Sequence, residues 1–434
     1  MTAQVEVLST LERRMELALP SAVVASEVDS RLKRLAKNVR VDGFRPGKAP
    51  LSVVARLHGA EVHREVIGGV LQQKFGEAVA EQQLKVAGYP RFEGKPSEGA
   101  KEILFSATFE VYPEVRLGDP AAFSIKRPVI GIGEAELDKT IEILRQQRRE
   151  FVPVERAAQE GDMVKLDFSG SVDGQPFKGG EGKDYVVIVG EGRLLKEFED
   201  SLLGLSAGGE KTFAVTFPEN YQAKELAGKT ASFAVKVKQV SEPRLPAVDA
   251  DFARALGVED GDVAKLRDEI RANLQREVKR RVMNRLKEQV MSQLAETSQL
   301  ELPNSLVSLE IERLAELAHN DLASQGVDVK QMNFTADMFE EQAKRRVRLG
   351  LILAELIKAH GLTVQPEQVR ALVEETAESY ENPDEVVDWY YAQPSRLQEV
   401  ESLALEENVV AWVMEKAKVE DVETAFDELM GRTR

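Results

Sequence analysis

The first helix that the hydrophobic pattern predicts covers residues 21–40. Its apolar side chains are three and four positions apart, which places them on one helical face. They are Val24, Val28, Leu32, Leu35 and Val39. Ser21 is the predicted cap of this helix. Pro50 suits the first turn of a second helix, and residues 60–85 continue with helical spacing. The opposite face of 21–40 is basic, so we predict an amphipathic helix with a cationic outer surface.

Alternating apolar and polar residues predict strands on either side of these helices. Residues 103–111 alternate strictly, as in a strand with one buried face. The apolar positions are Ile103, Phe105, Ala107, Phe109 and Val111. With shorter alternating pieces near 5–19, they predict an α+β domain over 1–112. Residues 113–150 are then a linker, in which prolines and glycines predict an extended connection followed by a helix over 134–150.

The pattern changes at residue 151 to short alternating runs separated by glycines. Such runs predict a small, mostly antiparallel sheet domain. It is bounded at 151–243 because Pro243 and Pro246 stiffen the segment that follows. The runs are Val164, Leu166 and Phe168; Val186 to Val189; Phe213, Val215 and Phe217; and Phe233, Val235 and Val237.

From about residue 262 onward the periodicity is helical. A long, highly charged helix is predicted from 262 to about 298, and prolines and glycines divide the whole region into about six helices. Two apolar stripes need partners that bury them: Val307, Ile311, Leu314 and Ala318, and Leu349, Ile352, Leu353, Leu356 and Ile357. The predicted fold class is therefore α+β and multidomain, with an all-helical region over 244–434.

Composition adds a charge asymmetry. The 434 residues include 58 basic and 74 acidic side chains, for a formal net charge of −16, so the chain as a whole repels nucleic acid. Between 31 and 48 the balance is reversed, because Asp42 alone opposes seven cations. These are Arg31, Lys33, Arg34, Lys37, Arg40, Arg45 and Lys48. A basic run is usually a solvated helix face; the alternative is a patch that docks on an anionic surface.

The turn after this basic helix, VRVDGFRPGKAP at 39–50, combines an aromatic ring with cations. Its backbone is constrained by Gly43, Pro46 and Gly47, because glycine permits positive φ and proline lacks an N–H donor. We therefore expect Phe44 and Arg45 to be presented on an exposed turn.

Several classes of protein are excluded or disfavoured. No apolar run approaches the ~18 residues of a membrane span, and the start of the chain lacks the apolar segment of a signal peptide, so we expect a cytoplasmic protein without a membrane partner. There is no cysteine for disulfides, thiol chemistry or metal sites. The four histidines lack metal-ligand spacing, and the glycine-rich segments at 179–184 and 190–195 lack the nucleotide-binding patterns. We expect neither a metal nor a cofactor.

Large apolar residues of the sheet domain lie near its glycines. They are Phe168, Phe177, Tyr185, Leu194, Leu195, Phe198, Tyr221 and Phe233. Composition leaves two interpretations open, since such residues form either an ordinary core or the lining of an apolar pocket.

Two stretches carry a specific resemblance. Residues 161–221, from GDMVKLDF to FPENY, are similar in motif order and spacing to an FKBP-type prolyl isomerase domain. GFRPGKAP at 43–50 resembles the ribosome-docking signature of the trigger factor family of bacterial chaperones. The resemblance extends over essentially the whole chain, including FEEQAKRRVRLGLILAELI at 339–357 and FDELM at 426–430. It implies an N-terminal ribosome-binding domain, an FKBP-like antiparallel sheet domain and a helical substrate-binding chaperone domain.

The resemblance also implies site residues. Ribosome binding is assigned to Gly43, Phe44, Arg45, Gly47 and Lys48; Pro46 stands where the family signature often has lysine. The prolyl pocket is assigned to the eight large apolar residues of the sheet domain named above, with Glu197 at its rim where relatives often have glycine. A twisted X-Pro bond loses the amide resonance behind its ~18–20 kcal/mol barrier. An apolar pocket with backbone donors can favour that state without a nucleophile or general base.

The implied function is that of an ATP-independent, ribosome-associated chaperone that binds nascent polypeptides at the tunnel exit and isomerises X-Pro bonds. Its partners would be the large ribosomal subunit near the exit, through protein and rRNA, and nascent and unfolded polypeptides, with a weak homodimer off the ribosome left open. The alternative is a free cytosolic holdase or assembly factor whose FKBP-like domain only binds peptides.

Overall fold

The structure is a computed structural model that describes residues 5–42, 44, 47–95, 101–221, 223–327, 334–378, 380 and 382–431. The chain forms two compact units. The first comprises Met1–Arg127 and Met283–Val422, and the second comprises Pro128–Val282 and Glu423–Arg434. Within the described ranges, no helix is both long enough and apolar enough to cross a membrane.

The first unit begins with a four-stranded antiparallel sheet and two helices. The sheet has the order β1-β2-β4-β3, with strands β1 (Val5–Val7), β2 (Glu12–Pro20), β3 (Val86–Lys95) and β4 (Glu102–Val111). The helices are α1 (Ser21–Asn38) and α2 (Leu51–Glu81). The alternating residues of β2 and β4 pack against both helices, and Met15, Val24, Val54 and Ala107 are among the buried core residues.

In this region the structure corrects the bounds of the two predicted helices and adds one strand. The first helix ends at Asn38, and Ser21 is its first residue rather than its cap, because Pro20 holds the extended cap position. The second helix begins at Leu51, directly after Pro50, and ends at Glu81 rather than near residue 85. Strand β3 was not predicted.

The connection after this sheet is only partly extended. It contains strand β5 (Ser124–Val129), which pairs with β11 (Lys418–Glu423). The first unit also holds helices α7 (Asn304–Ser324), α8 (Glu340–His360), α9 (Pro366–Ala377), α10 (Pro383–Tyr391) and α11 (Pro394–Lys416). The prediction of an all-helical C-terminal region is therefore wrong at β11.

The predicted long helix is α6 (Val263–Thr297), and it contributes residues to both units. From residue 263 onward the described chain contains seven α-helices, where the pattern predicted about six. Within the predicted stripes, Val307, Leu314, Ile352 and Leu356 are buried. These four residues therefore belong to the core of the helical region.

The second unit contains the predicted antiparallel sheet. Its strands are β6 (Glu150–Val154), β7 (Met163–Val172), β8 (Gln175–Ile188), β9 (Glu210–Thr216) and β10 (Thr230–Arg244). The order is β6-β10-β7-β8, and β9 also pairs with β10. The short helix α4 (Lys196–Leu202) lies between β8 and β9 in sequence. Alternate residues of β10 are buried, so one face of the sheet forms the domain core and the other is polar.

A second core in this unit joins elements from distant parts of the chain. Its helices are α3 (Glu134–Gln147), α5 (Ala250–Ala255), the first part of α6, and α12 (Phe426–Leu429). The side chains of Leu137, Phe252, Leu266 and Phe426 are buried together there. The four-part division of the chain made from the sequence, with 113–150 as a separate linker, stays a prediction.

Candidate prolyl-binding site and docking turn

Eight aromatic rings form one continuous cluster in the sheet domain. Neighbouring ring centroids are 4.7–6.4 Å apart, and most pairs meet edge to face, the favourable arrangement for aromatic side chains. The cluster consists of Phe168, Phe177, Tyr185, Phe198, Phe213, Phe217, Tyr221 and Phe233. The structure thus brings together all six aromatic residues predicted for the pocket. The sequence assignment did not include Phe213 and Phe217, although both lie in a strand-like alternating run.

The two aliphatic residues of the predicted pocket lie beside these rings. Leu194 and Leu195 precede α4 and pack, partly exposed, against the domain core that contains Phe198 and Phe233. Solvent exposure rises across the cluster, from 4% at Phe217 and 5% at Phe198 to 40% at Tyr185. The rings therefore form an apolar surface that is closed at Phe198 and open to solvent at Tyr185.

Glycines on β7 and β8 provide the room for these rings. Gly170 is directly opposite Phe233, and Gly182 is directly opposite Phe168, in the strand register. A Cβ atom at Gly182 would lie 2.4 Å from Cε1 of Phe168, and one at Gly170 would lie 2.5 Å from Cε1 of Phe233. Because real Cβ atoms do not come so close, each ring lies directly over a glycine backbone.

The loop that carries Leu194 is bonded to a buried carboxylate. Glu199 in α4 is 3% exposed. Its Oε2 accepts N–H bonds from Gly190 at 2.9 Å and Gly192 at 3.2 Å, and its Oε1 accepts one from Leu194 at 2.9 Å. Sequence analysis missed Glu199 because acidic residues are abundant in this chain.

Glu197, two residues earlier, has a different role. Its side chain is exposed, and its carboxylate accepts the Thr216 N–H at 2.8 Å, at the end of β9. The carboxylate of Glu197 is thus hydrogen-bonded to the backbone of a neighbouring strand.

The polar face of the sheet carries an ion-pair network. The Lys238 ammonium lies 2.6 Å from Asp167 Oδ1 and 3.1 Å from Asp184 Oδ1, and Lys165 lies 3.1 Å from Asp184. The hydrogen bond from Lys238, together with the Asp184 N–H, holds the pKa of Asp167 below its ordinary value. A groove of about 680 Å³ on this face has charged residues of both signs in its lining, namely Asp167, Glu181, Glu210, Lys183, Lys211 and Lys236. It is not the apolar surface that a prolyl ring requires.

The described part of the predicted docking turn is exposed. Phe44 is 41% exposed, and its N–H donates to the Val41 carbonyl at 3.0 Å. Gly47 has φ of 76°, and a Cβ there would lie 2.8 Å from the Lys37 carbonyl oxygen, so the turn packs closely on the end of α1. Lys48 is exposed. Gly43, Arg45 and Pro46 lie outside the described residues.

The basic surface of α1 continues toward this turn. Arg31 pairs with Glu65, and Lys33 pairs with Asp29 at 2.6 Å. Beyond these two pairs, Arg34, Lys37 and Arg40 have exposed side chains. Within the described residues, no group of three or more histidine and carboxylate side chains is arranged to hold a metal ion.

Comparison with known proteins identifies the class. Three family models match successive parts of the chain: bacterial trigger factor protein over residues 1–144, FKBP-type peptidyl-prolyl cis-trans isomerase over 154–238, and bacterial trigger factor protein C-terminus over 262–415. The fold and these matches define a chaperone that carries an FKBP-type peptidyl-prolyl cis-trans isomerase domain.

Full-length relatives identify the family. The trigger factor of Thiobacillus denitrificans is 57% identical over 433 residues, and that of Nitrosospira multiformis is 53% identical over 435 residues; each alignment covers 100% of both chains. A solved structure of a trigger factor chaperone aligns at 18% identity with a TM-score of 0.46, covering 95% of this chain and 99% of the other. The chain belongs to the trigger factor family, which confirms the resemblance found in its sequence.

Proposed function

We propose that this chaperone binds the ribosome through the turn at 43–48 and isomerises X-Pro bonds on the aromatic surface around Phe198. We assign the pocket to Phe168, Phe177, Tyr185, Leu194, Leu195, Phe198, Tyr221 and Phe233. The assignment of the pocket rests on the eight-ring cluster, which is open to solvent at Tyr185. This cluster lies within the part of the chain that the isomerase family model matches.

The chemistry requires no covalent step. A planar X-Pro amide is stabilised by resonance and by water around its carbonyl group, and both are reduced in the twisted state. Partly exposed rings beside a closed apolar wall exclude water from that amide. The surface therefore binds the twisted bond better than either planar isomer, which lowers the barrier by differential binding.

Tyr185→Ala tests the pocket with little risk to folding, because Tyr185 is 40% exposed. We expect kcat/KM for a short X-Pro peptide to fall about tenfold, equivalent to ~1.4 kcal/mol of transition-state binding. The matched control is Tyr89→Ala, which removes a 78% exposed tyrosine from the first unit. Unchanged catalysis in both Tyr185→Ala and Phe198→Leu would remove the aromatic surface from this proposal.

Ribosome binding is supported by charge and exposure around the turn. The chain carries a net charge of −16, yet exposed cations on α1 lead directly to Phe44 and Lys48. A cation next to an exposed aromatic ring suits a surface of RNA and protein, because the cation contacts phosphate while the ring fills an apolar pocket. The acidic remainder of the chain is repelled by the same RNA.

Co-sedimentation with ribosomes over a range of salt concentrations tests this site. We expect the variant with Phe44, Arg45 and Lys48 all changed to alanine to lose binding and to show a shallower salt dependence, since fewer counterions are released. The control variant, Tyr89→Ala with Arg91→Ala and Lys101→Ala, removes one aromatic ring and two cations from exposed positions of the same unit. Wild-type binding by the first variant would favour a free holdase.

We assign client binding to the helical region. A groove of about 810 Å³ between the start of α9 and the middle of α11 supports this assignment, since its lining includes Leu362, Val364, Val369 and Leu405. Such a groove accepts apolar segments of an unfolded chain. We further propose that the protein acts in the cytoplasm, on nascent and unfolded polypeptides, and that any homodimer forms off the ribosome.

A further inference from the structure

Glu199 is unusual among the many acidic residues of this chain because its carboxylate is buried. It is 3% exposed, and the three donors to it are all backbone N–H groups of one loop, 190–194. Burying a carboxylate is costly unless hydrogen bonds replace its water. Three such bonds provide that replacement, and they also fix the loop at three points.

The bonded loop leads directly into the proposed pocket. Gly190 and Gly192 have φ of 91° and 70°, which folds the backbone so that the N–H groups of every second residue converge on one carboxylate. The third donor is Leu194 itself, and Leu195 is the cap residue of α4. On the helix, Glu199 directly follows Phe198, the most buried of the predicted pocket rings. One carboxylate therefore connects the aliphatic wall of the pocket to the helix that carries its central ring.

We propose that Glu199 is a positioning residue for the isomerase reaction: its carboxylate holds the backbone of 190–194 in the shape that sets Leu194 and Leu195 against the aromatic rings. The proposal rests on the proposed pocket. Glu199 does not contact the substrate and acts through the two leucines.

Glu199→Gln is the sharpest perturbation, because glutamine has nearly the same shape. A carboxylate offers acceptors on both oxygens, whereas an amide replaces one oxygen with an NH₂ donor. Either orientation of the amide leaves at least one loop N–H facing a second donor. We expect the loop to shift and kcat/KM for a short X-Pro peptide to fall at least tenfold, with most of the loss in kcat, because the wall is needed in the twisted state.

Asp162→Asn in the full-length protein is the matched control. Asp162 is 1% exposed and pairs with Arg156 at 2.5 Å, with a further bond from the Gln159 N–H at 2.9 Å. This variant also removes a buried, hydrogen-bonded carboxylate from the same domain. We expect it to lower the melting temperature as much as Glu199→Gln does, while kcat/KM remains within twofold of the wild type.

A double-mutant cycle separates positioning from general destabilisation. If Glu199 acts through the leucines, Glu199→Gln loses most of its effect in a Leu194→Ala/Leu195→Ala background, because coupled residues are not additive. If Glu199→Gln lowers kcat/KM by the same factor in that background as in the wild type, the proposal is overturned. Wild-type activity of Glu199→Gln also overturns it. If the double leucine variant is itself fully active, the proposed pocket has failed, which is a distinct result.

Glu199→Asp gives a second test should the glutamine variant not fold. It keeps the carboxylate but withdraws it by one methylene. We expect an intermediate loss of kcat/KM that again shrinks in the leucine background. An intermediate loss together with displaced amide resonances for Gly190, Gly192 and Leu194 supports the proposal, whereas full activity with displaced resonances overturns it.

Discussion

Gly182→Ala tests whether catalysis depends on where the Phe168 ring lies. Gly182 is directly opposite Phe168 in the β7–β8 register. A Cβ at Gly182 would be 2.4 Å from Cε1, 2.8 Å from Cζ and 3.1 Å from Cδ1 of that ring. Three atoms of one ring are too close, so rotating the ring about its own axis does not relieve the contact, and the ring must move away.

The distance that the Phe168 ring must move sets the size of the expected effect. Ordinary contact begins at 3.4 Å, so the ring has to withdraw by about 1 Å. It then presses on Tyr185 and Phe198, whose centroids are 5.5 and 5.9 Å away. Overpacking of this kind costs ~1–3 kcal/mol of stability. A shift of about 1 Å in a positioned group lowers catalysis by as much as ~10²-fold, and we expect a loss between tenfold and a hundredfold in kcat/KM.

The assay is isomerisation of a short X-Pro peptide by the full-length protein, together with its melting temperature. Gly174→Ala is the control, because Gly174 has φ of 77° but no atom within 4 Å of the added Cβ. That variant strains the backbone, by ~1–2 kcal/mol, without touching a ring, so it should lower stability and leave kcat/KM intact. If Gly182→Ala retains wild-type kcat/KM, the position of Phe168 is irrelevant to catalysis, and Phe168 leaves the proposed pocket.

Two further predictions concern polar contacts away from the rings. Glu110 accepts the N–H groups of Asn304 at 3.1 Å and Ser305 at 2.7 Å and so caps α7 from β4. Glu110→Gln should speed hydrogen exchange of at least one of these two amides by about fivefold, for a cap worth ~1 kcal/mol, and unchanged exchange of both would contradict a capping role. The pKa of Asp167 is lowered chiefly by Lys238, so the contribution of the Asp167 carboxylate to stability is complete above the ordinary pKa of 3.8 and is lost as pH falls through the lowered pKa. The melting temperatures of the wild type and Asp167→Asn should therefore converge in acid. A constant difference between them at all pH values would refute this.

Elements with a local signal were predictable from the sequence. The apolar spacing of α1 and the strict alternation of β4 each reflect one buried face, which is a property of the segment itself. Strand β3 gave no such signal because Gly88 and Pro90 interrupt its alternation. It forms through pairing with β4 across a bulge between Ala87 and Arg91. Strand β11 is almost entirely exposed, so no hydrophobic pattern distinguishes it from a loop.

The proposed prolyl pocket likewise combines residues that the sequence predicts with residues that it does not. The rings assigned by family resemblance do meet in one cluster. Strand alternation places Phe168 and Phe233 on the core face, and α4 packs Phe198 against them. The pairing of Gly170 with Phe233 joins residues of two different strands, and only the strand register reveals it. In the sequence, nothing distinguishes Glu199 from the other acidic residues of the chain. Its burial depends on the path of the loop at 190–194, which the sequence pattern does not specify.

The pairing of β5 with β11 determines when the first unit can be completed during synthesis. Arg127 is bonded to Asp421 through both carboxylate oxygens, at 2.6 and 2.9 Å, across 294 positions of sequence. A translating ribosome must therefore release nearly the entire chain before this contact exists, and closing so long a loop is entropically costly and slow. Strands β6 to β10 come from one continuous segment and can pair as soon as that segment emerges. The isomerase sheet of a new molecule should accordingly form before the β5–β11 pairing that completes its first unit. The second unit as a whole is also completed late, because its other core includes Phe426 of α12.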